Sequence, residues 1–174
     1  VATITPIISG LTAANYTFSA VSGNINVTAN GITITATGPS KTYGTALSAG
    51  TSATNFTVTG TLASGETITS VTLTPNAAGL SSTTAAGTSY VVTPSAATGA
   101  GGFLASNYNI TYTAFDGTVS QKALTITATN ATKPYGTTQS TPVSGSTAFT
   151  SSGLVGSETI GSVTLTYGSG ALTA

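Results

Sequence analysis

Short runs of strict apolar–polar alternation recur along this chain. Ile32 and Ile34 alternate with Thr33 and Thr35, and Val71 and Leu73 with Thr72 and Thr74. Tyr108, Ile110 and Tyr112 alternate with Asn109 and Thr111. A period of two sends successive side chains to opposite faces of a strand. Each run therefore predicts a strand whose apolar set faces a core and whose Thr/Asn set faces outward. Further strands are expected over Phe56–Gly60, 90–93 and 118–120. Pro, Ser and Gly clusters at 38–40, 75–79 and 98–102 read as loops, and Phe-Asp-Gly at 115–117 as a hairpin turn. No stretch combines 3.6-residue apolar spacing with helix caps.

The runs repeat. ITITATGPSKTYG from Ile32 returns as LTITATNATKPYG from Leu124, 92 positions on, so Lys41, Tyr43 and Gly44 align with Lys133, Tyr135 and Gly136. GETITSVTLT from Gly65 returns at the same offset as SETIGSVTLT from Ser157, which aligns Glu66 with Glu158. Between these blocks a one-residue slip aligns NFT at Asn55 with AFT at Ala148. Upstream, Asn15 and Tyr16 align with Asn107 and Tyr108, and ITP ending at Pro6 with VTP ending at Pro94 after a change of four residues in length. The chain thus reads as the C-terminal part of one repeat (1–30), a complete repeat (31–122) and the N-terminal part of a third (123–174).

A period of 92 residues exceeds the roughly 20–45 of a solenoid coil. It suits a small sandwich, and about seven short strands per repeat point to two packed sheets. The expected fold is all-β: tandem small Ig-like β-sandwich domains in a linear array. The junctions VSQKALTIT and NVTANGITIT hold almost no spacer, so the array should be stiff.

Composition sharpens this picture. The 174 residues include 40 Thr and 21 Gly, suited to pleated half-exposed strands and the turns joining them. A Ser/Thr/Gly-rich chain can be disordered, but disorder goes with few apolar residues and high net charge. Here 39% of residues are hydrophobic and the net charge is zero, so a folded chain is expected. Charged residues are 3%, and Lys41, Lys122 and Lys133 are the only basic ones. That leaves no stripe for nucleic acid and no attraction to an anionic membrane. No apolar run approaches the roughly 18 residues of a spanning helix. With neither start Met nor signal peptide, the chain reads as an interior or mature segment. The absence of Cys excludes disulfides and thiolate metal sites.

The segments LTITATNATKPYG, GSETIGSVTLTYGSG and TPSAATG…ASNYNITY…GTVS resemble the MBG family, the "mostly beta, glycine-rich" repeat of bacterial surface proteins. The resemblance covers nearly the whole chain, with its motifs in order. It implies an Ig-like or related β-fold repeated many times in large secreted adhesins, often of Bacteroidota, at the cell surface. It carries over no activity and no cofactor. Pro134, where the first copy has Thr42, departs from the pattern and should only stiffen that turn.

Catalysis needs convergent acid, base or nucleophile groups. The complete repeat holds one Glu (Glu66) and one Asp (Asp116), with no His or Cys, and Asp116 aligns with the non-acidic Asn24. The expectation is a non-enzyme without cofactor or metal site, since Ca²⁺ wants several carboxylates. Lys-x-Tyr-Gly has two readings. In the structural one, Tyr43 and Tyr135 bury their rings at a sheet edge with the hydroxyl on backbone, and Gly44 and Gly136 take a turn conformation closed to other residues. In the functional one, Lys41, Glu66 and Asn107 form an isopeptide trio, with a surface Lys–Glu pair as the plainer alternative. Five Asn-x-Ser/Thr sequons, at Asn15, Asn26, Asn55, Asn109 and Asn130, are explained by an Asn- and Thr-rich composition.

The expected role is a structural stalk or filament repeat of a large cell-surface adhesin that extends and displays adhesive regions. A direct carbohydrate- or surface-binding module is the alternative, and an ice-binding region, from the Thr-x-Thr patterns, a weaker one. The expected partners are neighbouring repeats of the same chain, or head-to-tail copies in which the downstream part of one chain is completed by the upstream part of the next. A surface or glycan ligand is a further partner; nucleic acid and membrane insertion are not expected.

Overall fold

The computed structural model describes residues 2–169. Its regular secondary structure is almost entirely β-strand, broken within the complete repeat by a four-residue α-helix and a 3-10 turn of three residues. The upstream segment contributes β1 (Ala2–Ile4) and β2 (Gly23–Ile25). The complete repeat contributes β3 (Asn30–Ala36), β4 (Gly50–Ser52), β5 (Phe56–Gly60), β6 (Thr67–Pro75), β7 (Ser89–Ala100), β8 (Tyr108–Thr113) and β9 (Phe115–Thr118). The downstream segment contributes β10 (Thr125–Ala128), β11 (Val143–Ser146), β12 (Phe149–Ser152) and β13 (Val163–Leu165).

By contacts the chain forms two units. One takes the residues up to Gly38 with 49–74 and 93–115; the other takes 39–48, 75–92 and the chain from Asp116 onward. The complete sequence repeat contributes to both. One sheet, of order β5-β3-β8, joins β3 antiparallel to β5 and parallel to β8. The other has the order β4-β6-β7-β9.

The alternation predicts the buried faces. In the first unit Ile32, Ile34, Ala36, Val71, Leu73 and Ala97 are buried, and Tyr108 lies at 9% exposure. Thr33 and Thr35 are half-buried, and Thr74, Asn109 and Thr111 are exposed. Each buried Ile, Val or Leu supplies about 1.5–3 kcal/mol relative to exposure. The Tyr112 hydroxyl accepts from the Ala97 amide at 3.0 Å, tying β8 to β7. In the second unit Tyr90, Val92 and Val119 are buried, and the Tyr90 hydroxyl donates to the Pro39 carbonyl at 2.9 Å.

Three local expectations need correction. Residues 115–117 are not a hairpin turn but strand β9, and Gly117 is buried there. A Cβ at Gly117 would lie 2.4 Å from Cζ of Tyr90, so the glycine makes room for a ring rather than reversing the chain. Residues 98–100 are strand, not loop, because β7 continues to Ala100. A Cβ at Gly99 would meet the Thr67 carbonyl oxygen at 2.2 Å, again a close approach of backbone. The loop over 75–79 holds most of a helical turn, α1 (Ala77–Leu80), whose first turn is capped by Asn76 Oδ1 accepting from the Gly79 amide at 3.0 Å.

The partial repeats form the strand pairs that the repeat offset requires. β10 pairs with β12 as β3 pairs with β5: Thr125↔Ser152 and Ala128↔Phe149 answer Thr33↔Thr59 and Ala36↔Phe56. The first partners are 92 apart and the second 93, which places the slip read from the sequence in the pairing register. β11 pairs with β13 as β4 pairs with β6, with a register shift between Val143 and Ser146. β1 pairs with β2 where the complete repeat has β7 beside β9. The burial differs. Ile34 is fully buried while its counterpart Ile126 is 47% exposed, and Ile4 and Ile25 are 52% and 48% exposed.

Candidate functional site

The Lys-x-Tyr-Gly segment follows the end of β3 and runs beside the chain after β9. Ser120 donates its amide to the Lys41 carbonyl, and the Tyr43 amide donates to the Ser120 carbonyl, each at 2.9 Å. This holds Lys41 with its side chain inward at 2% exposure. Its ammonium donates to the carbonyl oxygens of Ala78, of Gly79 at 3.1 Å and of Ser81 at 2.5 Å. Three donors meet three acceptors around α1, so the buried charge is fully hydrogen-bonded. Lys41 is therefore not half of a surface Lys–Glu pair. Tertiary placement, invisible in the local sequence, turns the side chain to backbone oxygens instead. The downstream counterparts of 78–81 lie outside the described residues.

Two residues on, Tyr43 is half-buried and donates its hydroxyl to Glu158 Oε1. Its partner is a carboxylate, not the backbone expected from the sequence. Glu158 Oε2 accepts from the Val155 amide at 3.0 Å. The Tyr43 hydroxyl, then the Val155 amide, then the Lys122 charge hold the Glu158 carboxyl below its ordinary range, while burial opposes them. The same hydrogen bond pushes the Tyr43 hydroxyl above its usual 10.0. Gly44 has φ +88, as the turn requires, and a Cβ there would lie 2.6 Å from Cγ2 of Val155. The counterpart turn has the same backbone, with Gly136 at φ +82. Yet Tyr135 is 98% exposed and not buried at a sheet edge, because no neighbour covers it among the described residues.

Glu66 and Asn107 belong to the other unit. They line an open groove of about 530 Å³ with Asn30, Leu62, Ala63 and Tyr108. Glu66 Oε2 accepts from the Tyr108 hydroxyl at 2.5 Å, and that hydroxyl accepts from the Ala63 amide at 2.9 Å. Glu66 raises the Tyr108 hydroxyl above its usual value, against the Ala63 amide, which lowers it. Phe103 stacks on Tyr108 with ring centroids 5.4 Å apart. Asn107 closes the 3-10 turn, its amide donating to the Leu104 carbonyl at 2.9 Å. Of the isopeptide trio, then, Glu66 and Asn107 share a groove and Lys41 holds partners of its own.

The chemistry on offer is hydrogen bonding and packing. Among the described residues no group of three or more His, Cys, Asp or Glu could hold a metal ion, and no helix is long and apolar enough to cross a membrane. Sequence reasoning missed Val155 and Ala63. Both precede the aligned acids by three residues, at the same 92-residue offset as Glu66 and Glu158, and extending the GSETI block upstream would have found them.

The family model for the MBG domain, YGX type, matches residues 32–119. No curated protein and no solved structure matches the chain. Tyr43-Gly44-Thr45 and Tyr135-Gly136-Thr137 both read Tyr-Gly-x, the element in the family's description. With just over half of the chain covered by that model, and with the tyrosine–glycine turn set out above in both copies, the chain belongs to the MBG domain family.

Proposed function

We propose that this chain is a run of structural repeats from a secreted bacterial surface protein, each repeat a small two-sheet sandwich, the series forming a stalk that extends and displays adhesive regions. The MBG family is a repeat domain of surface proteins, and the stalk role is the reading its architecture here supports best. The observation that carries it is the recurrence of strand pairs: β3·β5 as β10·β12 and β4·β6 as β11·β13. Each copy supplies its own sheets, and copies follow one another with little spacer. On this reading the protein is not an enzyme, works without a cofactor and acts outside the cell.

A direct glycan-binding role would call for aromatic side chains displayed by the complete repeat. Tyr16 and Tyr135 are displayed, at 77% and 98% exposure, but both belong to the partial repeats. Their counterparts in the complete repeat, Tyr108 and Tyr43, are buried and half-buried. Aromatic display thus does not recur from copy to copy, which favours the stalk. Electron microscopy of arrays with increasing repeat number tests the reading. Contour length should grow linearly at constant width. Retention of a single repeat on a glycan array would reverse the conclusion.

A further inference from the structure

The complete repeat and the segment that follows it are tied together twice. One tie is covalent. Ser120 is hydrogen-bonded to the backbone of Lys41 and Tyr43, and Ala123 lies against Gly153, where a Cβ would meet the Ala123 carbonyl oxygen at 2.3 Å. Only Gln121 and Lys122 stand between these two anchored points. Each linker residue keeps two soft backbone dihedrals, so this tie alone leaves room to swivel. The second tie is the contact between the turn of Tyr43 and Gly44 and the turn of Val155 and Glu158.

Both halves of that contact are shaped by their own repeat. On one side the Gly44 amide donates to the Ser82 carbonyl and the Thr45 amide to the Thr42 carbonyl, each at 3.0 Å. On the other the Glu158 amide donates to the Val155 carbonyl at 3.2 Å, and Glu158 Oε2 accepts from the Val155 amide at 3.0 Å, so the turn closes on itself. The halves interlock. Cγ2 of Val155 sits 2.6 Å from where a Gly44 Cβ would stand, and the Tyr43 hydroxyl donates to Glu158 Oε1. Lys122 of the linker lies against the same notch, with Cδ 3.6 Å from that point. Halves set in advance lose little freedom on meeting. By contacts, residues 39–48 and 75–92 group with the chain from Asp116 onward, whereas 49–74 and 93–115 of the same repeat group elsewhere.

We propose that this clasp locks a repeat to its successor in the same chain, removing the swivel left by the linker and making the two yield together. The array then carries a stabilising term at every junction and is not a string of independent beads. The clasp also selects what can follow: a repeat with an apolar side chain three residues before a glutamate, placed to fill the notch that Gly44 leaves. The inference deepens the stalk reading by assigning the joint between repeats, and it rests on that reading.

Hydrogen exchange and residual dipolar couplings on the full chain test it, with Tyr43→Phe and Val155→Ala. Each variant alters one repeat, and the effect is read in the other. In Tyr43→Phe the amides of β10·β12 and β11·β13 should exchange about threefold or more faster. In Val155→Ala the hydrogen-bonded amides of Leu47 and Leu80 should do the same. Coupling is reciprocal, so both directions are required. Tyr135→Phe changes the same motif at a tyrosine that is 98% exposed, and should leave every amide at its wild-type rate. Couplings from residues 39–48 and 75–92 and those from β10, β11, β12 and β13 should fit one alignment in the wild type and two in the double variant. Exchange that does not change across the junction, an equal response to Tyr135→Phe, two alignments already in the wild type, or one that survives the double substitution would overturn the joint. None of these results changes how contour length grows with repeat number, so the stalk reading stands or falls separately.

Discussion

Tyr43 gives its hydroxyl hydrogen to Glu158, a residue 115 positions later and in the next sequence repeat. The bond links the Tyr-Gly turn of one copy to the acid of the following copy's Gly-Ser-Glu segment. It holds the Glu158 carboxyl below its usual 4.5 in the folded state. The Glu158 contribution to stability is therefore present above about pH 4.5 and lost as pH falls through the lower folded value. The raised Tyr43 hydroxyl behaves in the opposite sense: its contribution is present below pH 10.0 and lost as pH rises through the folded value. In Tyr43→Phe, NMR titration should find the Glu158 carboxyl closer to 4.5 but still below it, since the Val155 amide remains. An unchanged titration would show that the hydroxyl does not hold the acid.

Gly117 is expected to resist any side chain. Its Cβ position lies 2.4 Å from Cζ and 2.6 Å from the hydroxyl of Tyr90, itself at 1% exposure and anchored to Pro39. Gly117→Ala should cost about 1–3 kcal/mol by overpacking. Tyr90→Phe keeps the ring and loses the hydroxyl, at about 1 kcal/mol. Urea unfolding of the two variants should rank them in that order.

Lys41→Met should cost about 2 kcal/mol by removing a charged donor from three carbonyls. The loss is limited because those oxygens keep other donors: the Thr84 hydroxyl on Ala78 and Ser81, and the Leu47 amide on Gly79. Lys133→Met, at a half-buried lysine that donates to Thr137, should cost less. Intact mass provides the companion check. An ammonium engaged with carbonyls predicts the unmodified mass, and loss of one ammonia would instead establish an isopeptide bond.

Ala96 sits in β7 at φ +47, the left-handed region. Its side chain is exposed, so removing the methyl forfeits no packing. Ala96→Gly should stabilise the fold by about 1 kcal/mol. Thermal melting that shows no gain would mean the strand relaxes at this point at no cost.

What could be read in the sequence was what local periodicity decides. Ile32, Ile34, Val71 and Leu73 declared their faces because a strand alternates strictly. The slip between Asn55 and Ala148 reappeared as a one-residue difference in the pairing of β12. What could not be read depended on distant partners. Gly117 and Gly99 looked like turn residues, since a glycine that reverses the chain and one that admits a neighbour are the same letter. Tyr43 and Tyr135 share their local motif and differ in environment because only one has a Glu158 opposite. Lys41 gave its charge away in the sequence but not its burial, since its acceptors are backbone oxygens that any residue carries.

The ammonium of Lys41, seated among the carbonyls around α1, also sets how the protein meets its surroundings. Where a diffusible ion holds backbone oxygens together, the tie comes and goes with the medium, and chelation, dilution or a change of water hardness can loosen it. Here the cation is tethered by its own side chain. This knot should therefore keep its grip in soft and hard water alike.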